Sequence, residues 1–292
     1  MRSMKLPIAL FALLCSVAVS AQSDRSCGRE CLVKQVDMYL AALVAHDPKR
    51  VPFTANAVVI ENLKRIQAGE GLWRSATAVP TTFKIYVPDE QAQQIGFMGV
   101  MEEGGKPLMI ALRLKLMDGR IQEAEHVLTR NLKPDSLQNL QRVRTGLLED
   151  VPESEREPRY VLRGIAFSYY DAVDFNNSKL APFAADCSER ENGQPDAGIG
   201  GRAGASASDC VGQHRANIMV SIDAIDNVRI LAIDPVTGLA FGLSQVRPDP
   251  TRRDVPAASL PAAHVFKIRG GKIHEIEAMG FVAPPDPATA HQ

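Results

Sequence analysis

The sequence is short of aromatic side chains, at 5% with a single tryptophan, and it has no surplus of either charge, 33 Lys and Arg against 34 Asp and Glu in 292 residues. Balanced charge excludes the basic stripe that phosphate binding needs, so nucleic acid is not an expected partner. Only one long apolar run occurs, Leu6 to Val19, which excludes a multi-span membrane protein. There is no Gly-x-Ser-x-Gly elbow, no Cys-x-x-Cys pair and no His-Glu-x-x-His, so serine-hydrolase, zinc-knuckle and zinc-protease chemistry lack their residues. What is present, 45% hydrophobic and 23% charged, is ordinary globular composition and enough chain for two cored domains.

Arg2 and Lys5 precede the apolar run, and Val19-Ser20-Ala21 offers small residues for cleavage before Gln22. This is the layout of a secretory signal peptide over residues 1–21, and the run is short for a membrane span. The expected compartment is therefore secreted or periplasmic, with no span after cleavage. In an oxidising setting Cys27, Cys31, Cys187 and Cys210 read as disulfides, and locality favours Cys27 with Cys31 and Cys187 with Cys210 among the three pairings allowed. The second bridge closes a loop rich in Gly, Ala and Ser, a tie on the order of 3 kcal/mol. Neither pair has metal-ligand spacing, so no metal site is expected.

Compared with itself, the chain repeats. Shifted by 130 positions, Tyr39 to Asn62 aligns without a gap on Tyr169 to Asn192, and eight of the 24 positions are identical, among them Tyr39/Tyr169, Pro52/Pro182, Phe53/Phe183, Glu61/Glu191 and Asn62/Asn192. Arg113 to Glu125 matches Val265 to Glu277 at a shift of 152, so the second copy holds 22 more residues, placed mostly in a Gly-rich insertion near 193–210. The expected organisation is a first domain over 24–132, a partly helical linker over 133–158 and a second domain over 159–286.

Each copy runs through the same periodicities. Leu32, Val36, Tyr39, Leu40 and Leu43, like Leu162, Ala166, Tyr169, Tyr170 and Val173, fall on one face of a helix. Turn residues follow at Asp47-Pro48 and Asn177-Ser178, then a Pro-Phe pair where the chain becomes extended. Strands are expected at 81–87, 94–101, 108–116 and 120–128, and at 218–225, 228–233, 239–246, 263–268 and 272–279, separated by Gly-containing turns. The result is a helix laid over an antiparallel meander. In the linker, Leu137, Leu140, Val143 and Leu147 predict one helix, followed by a charged, proline-bounded spacer.

Helix, Asp-Pro turn, Pro-Phe, Glu-Asn and a meander closing on Asp118-Gly119-Arg120-Ile121 or Gly270-Gly271-Lys272-Ile273 resemble the SnoaL-like members of the nuclear-transport-factor-two-like superfamily, once per half. The resemblance implies an α+β fold, two tandem cones of a strongly bent antiparallel sheet wrapped around a helix, each with a pocket in its mouth. It also implies an internal pseudo-dimer, since single-domain relatives pair through their sheets. It does not fix a reaction, because the superfamily includes isomerases, lyases and plain binding modules.

Candidate residues come from what both copies keep. Glu61 and Glu191 could move a proton from an apolar cone, and Asn62 and Asn192 could donate to an oxyanion; the alternative is that Glu-Asn shapes a strand end with local backbone bonds. Tyr39 and Tyr169 lie on the buried helix face and could point into the pocket or meet a backbone carbonyl. Trp73, after Gly69-Glu70-Gly71-Leu72, could stack on a ligand or belong to the core. Along the last strand Glu123 and Glu125 share one side and His126 takes the other, where it could shuttle protons. Its counterpart is Ala278. Gly198 to Gly204 echoes a phosphate loop without the strand and helix such a loop needs, and Asn176 to Ser178 fits a glycosylation sequon. The expected function is an exported, cofactor-independent lyase or isomerase acting by acid–base chemistry on a small, partly apolar organic molecule. The alternative is a catalytically silent module binding a small ligand or a protein.

Overall fold

In a computed structural model, residues 26–175, 177–194, 210, 222–248, 251 and 260–280 are described. The expected signal segment, most of the Gly-rich insertion with its phosphate-loop echo, and the sequon's Asn176 lie outside them.

Helix α1 (Arg29–Val44) forms on the expected face, with Leu32, Val36, Tyr39, Leu40 and Leu43 all buried. It stops where His46 adopts a left-handed φ of 54°, after which the Asp47 carboxylate accepts the Lys49 amide and starts a short 3-10 turn. The chain then enters β1 (Phe53–Glu61), short β2 (Lys64–Ile66) and β3 (Ala76–Ala78), and the meander β4 (Lys84–Asp89), β5 (Gln94–Glu103), β6 (Lys106–Met117) and β7 (Arg120–Thr129). Strand order is β2-β1-β7-β6-β5-β3, with β4 also on β5. After α2 (Pro134–Asn139) and α3 (Thr145–Leu148), the pattern recurs: α4 (Arg159–Asp174), β8 (Phe183–Glu191), β9 (Ile222–Asp234), β10 (Leu239–Pro248), β11 (Leu260–Arg269) and β12 (Lys272–Gly280), ordered β8-β12-β11-β10-β9. The protein is a mixed α+β molecule of two sheets, seven- and five-stranded, and the two-domain reading fits it.

Three details differ from the expectation. The sheets are not wholly antiparallel, because β1 runs parallel to β7 and β8 parallel to β12. Periodicity reports which side chains share a face but not the direction of a distant partner strand. The segments expected as two strands around Val228 form the single β9, in which Asn227 at φ 50° is absorbed as a bulge against β10. The linker makes two short helices instead of one, since Arg144 leaves the helical track (φ −60°, ψ 135°) to reach the second sheet.

Three cores result. One lies between α1 and the first sheet, one between α4 and the second, and a third joins the outer faces of the two sheets, where Phe83, Met98 and Met109 meet Phe241, Val265 and Met279 under Leu140 and Leu147 of the linker. The contact between sheets is reciprocal. Arg29, first in α1, pairs with Asp234 at the end of β9 (2.7 Å), and its repeat equivalent Arg159, first in α4, pairs with Asp89 at the end of β4 (2.6 Å). Equivalent residues of the two repeats thus make the same kind of ion pair, each with the other repeat.

Both expected disulfides, Cys27–Cys31 and Cys187–Cys210, are formed. No helix among the described residues is long and apolar enough to cross a membrane.

Candidate functional site

In the first repeat the predicted residues converge. Tyr39 from α1 shares a hydrogen bond of 2.8 Å with His126 Nε2 from β7, and His126 Nδ1 lies 3.6 Å from the Glu61 carboxylate at the end of β1. Strand register explains the approach, since Glu61 and His126 are direct partners across β1 and β7. As expected from the pleat, Glu125 points the other way, into a bidentate pair with Arg229 of the second repeat (2.6 and 2.9 Å).

This constellation is tightly packed. His126, Tyr39 and Trp73 are all buried, and Trp73 packs edge-on to Tyr39 with ring centres 5.2 Å apart. The Gly71–Arg74 turn carrying Trp73 is fastened at both ends: Glu61 accepts the Leu72 amide (2.8 Å), and His46 Nδ1 meets the Trp73 carbonyl (2.7 Å). Gly71 is required there, with φ 61° and no room for a Cβ, which would sit 2.6 Å from the Glu61 carboxylate. Burial pushes the Glu61 carboxyl up, but the His126 ring, the Leu72 amide and Arg130 outweigh it and hold it below the ordinary range. An ionised carboxylate with a depressed pKa is a weak proton acceptor and a good latch. Replacing Glu61 by Gln is expected to speed hydrogen exchange of the Leu72 amide about fivefold, the loss of roughly 1 kcal/mol when a charge-assisted bond becomes a neutral one. An unchanged exchange rate would disprove the latch.

The asparagines serve the backbone. Asn62 (φ 45°) donates its amide to the His126 carbonyl and accepts Leu128 N–H on its side-chain oxygen at 2.8 Å. Asn192 (φ 50°) does the same with Ala278 and Gly280. Asn tolerates the left-handed region, which is why both copies keep it where β1 and β8 turn away from the sheet. Glu191 closes β8 opposite Ala278.

The second repeat holds a different arrangement at the same depth. Tyr169 donates to Glu189 Oε1 at 2.6 Å, and Tyr170 shares a hydrogen bond of 3.0 Å with His264 Nδ1. Tyr169, Tyr170, His264 and Phe266 form one aromatic cluster, with His264 stacked on Phe266. Burial raises the Glu189 carboxyl to about 7, against the pull of Tyr169 and Arg144. Burial alone lowers His264 to about 3, so its imidazole is neutral. Burial and the Glu189 charge raise Tyr169 well above the phenol range, which keeps it a donor.

Sequence reasoning did not single out Glu189, Tyr170 or His264, although the repeat alignment marks them. They stand opposite Val59, Leu40 and Leu112, three apolar positions of the first copy. His126 pairs across the sheet with Leu112, and His264 pairs with Ala278, so the histidine has changed strands while staying at one rung of the ladder. Among the described residues no three His, Cys, Asp or Glu side chains converge as a metal site.

Comparison with known proteins adds little to this geometry. Residues 155–280, from the end of the linker to the last strand, match the family described as "Domain of unknown function (DUF8021)". No curated protein matches the sequence. Among solved structures, a de novo designed protein with a curved β-sheet aligns over 39% of this chain and 97% of its own, at 13% identity and a TM-score of 0.29. A Bacillus subtilis protein described as "Putative Isomerase" aligns over 34% of this chain and 87% of its own, at 12% identity and a TM-score of 0.28.

Proposed function

We propose that the protein is an acid–base enzyme for a small, partly apolar organic molecule, built from two nuclear-transport-factor-two-like cones joined as an internal pseudo-dimer, and that the second cone is the working one. The observation that carries this is the buried Glu189 carboxyl, poised near neutrality beside the Tyr169 hydroxyl, with a neutral His264 in the same aromatic cluster. Proton transfer is fastest when the catalytic pKa lies near the working pH, and Glu189 meets that condition where Glu61 does not. Tyr169 supplies a donor for negative charge developing on a bound oxygen, and the rings of Tyr170 and Phe266 supply an apolar wall. The first cone, filled by Trp73, is the stabilising twin. Glu191, the equivalent of Glu61, keeps its place at the strand end opposite Ala278, where the first repeat sets Glu61 opposite His126.

The test is exchange of C–H protons for solvent deuterium in a panel of small enolisable carbonyl compounds, followed by NMR. Exchange is expected to depend on a group titrating near 7, to fall by 10² to 10⁴ in Glu189→Gln, and to persist in Glu61→Gln. Loss in Glu61→Gln with retention in Glu189→Gln would reverse the assignment. The same substitution has a stability signature. A carboxyl whose folded pKa is raised holds its proton while the unfolded chain has lost it, so its contribution is full below about pH 4.5 and is lost as pH rises through about 7. Glu189→Gln removes that loss, and the difference in unfolding free energy between variant and wild type should climb with pH across this window and stay flat above it.

A further inference from the structure

A second cleft, separate from both cones, lies where the linker crosses the outer face of the second sheet. It encloses about 330 Å³ between Gly146 to Pro152 and the strands β8, β11 and β12, and its lining includes Lys267, Glu275, Ser188 and His274. Lys267 is 4% exposed, and the Glu149 carbonyl accepts a hydrogen bond from its Nζ at 2.5 Å. Among the described residues no carboxylate lies within ion-pair distance of it.

The first repeat supplies the control. Lys115, the equivalent lysine, is more than a third exposed and pairs with Glu123 at 2.9 Å. In the second copy the corresponding Glu275 has turned to Arg144 (3.4 Å) and left Lys267 facing a neutral carbonyl. A buried ammonium without a close counter-ion is unfavourable, which biases a lysine toward its neutral amine. Burial lowers Lys267 from its ordinary value, with Arg269 adding to that and Glu275, Glu149 and Asp150 opposing it.

We propose that Lys267 is a nucleophilic amine that captures a small uncharged aldehyde or ketone in this cleft. The acidic rim of Glu149, Asp150, Asp186 and Glu275 disfavours an anionic carbonyl compound, and the volume suits a molecule of several heavy atoms. The amine nitrogen bonds to the carbonyl carbon, and a proton passes by way of solvent from the nitrogen to the carbonyl oxygen. The C–O bond then breaks as C=N forms, so both amine protons leave on that oxygen as water.

The experiment treats the whole native protein with propanal and sodium cyanoborohydride at pH 7, which traps the imine as a secondary amine, and maps the modified lysines by peptide mass spectrometry. Lys267 is expected to be alkylated at least ten times faster than Lys115, although Lys115 is the more exposed, and the preference is expected to vanish in 6 M urea. Alkylation of Lys267 no faster than that of Lys115 in the folded protein overturns the proposal, as does an equal preference in urea.

Discussion

Replacing Arg144 by alanine is expected to lower the melting temperature by about 10 °C at pH 8 and by less than half as much at pH 5. Among the described residues the Arg144 guanidinium is the only cation within 4 Å of Glu277, and it also reaches Glu275, the Ser188 carbonyl and hydroxyl, and the Ile276 carbonyl. Glu277 is completely buried. Removing one partner of a buried pair leaves an uncompensated charge and costs about 3–5 kcal/mol, and in a chain of this size each kcal/mol moves the midpoint by roughly 2–4 °C. Burial already lifts the Glu277 carboxyl to about 7, with Arg144 pulling it down. At pH 5 the side chain is neutral in the folded protein and needs no cation, so most of the deficit should disappear there. Scanning calorimetry of the variant at the two pH values decides the matter; an equal deficit at both would show that Arg144 acts through packing alone.

The largest packing effect is expected at the contact between the sheets. Gly96 on β5 and Phe241 on β10 are equivalent by strand register and touch each other across the interface. A Cβ on Gly96 would overlap the Phe241 ring close to its attachment, where the side chain cannot swing aside. Gly96→Ala is therefore expected to destabilise by about 1–3 kcal/mol, and Phe241→Ala, which empties a fully buried site, by about 3–5 kcal/mol. The double variant should lose at least 1 kcal/mol less than the sum, because the new methyl group enters space that the missing ring has vacated. Denaturant unfolding of all four proteins measures the coupling, and strict additivity would mean that the two residues do not share one space.

The same pair shows how the repeats diverged. A homodimer must place identical residues at its axis, whereas a fused chain can set a glycine against a phenylalanine and obtain a ball-in-socket contact. Gly242, next to Phe241, carries the complementary exchange: Tyr170 lies where its Cβ would be, while its equivalent Phe97 fills the first core. Neighbouring Gly and Phe have traded order between copies, one facing the interface and the other the helix.

The sequence by itself determined the duplication, the two amphipathic helices, the strands of both meanders and the local pairing of the cysteines. These are properties of short segments, set by side-chain period, turn residues and the nearness of two thiols along the chain. It also singled out Tyr39 and Glu61, which both copies keep, and His126, which the second copy replaces with Ala278, but not that the three meet. Tertiary structure alone decided that β1 and β8 lie parallel to the closing strands, that Trp73 fills the core between α1 and the first sheet, and that Glu61 is spent holding it. It decided, too, that Glu189 and Glu277 are buried deeply enough to sit near neutrality while Glu123 and Glu61 stay ionised. A carboxyl's pKa is set by the water it loses and the charges it meets, and both come from distant segments, as with Arg144 and Glu277, 133 residues apart.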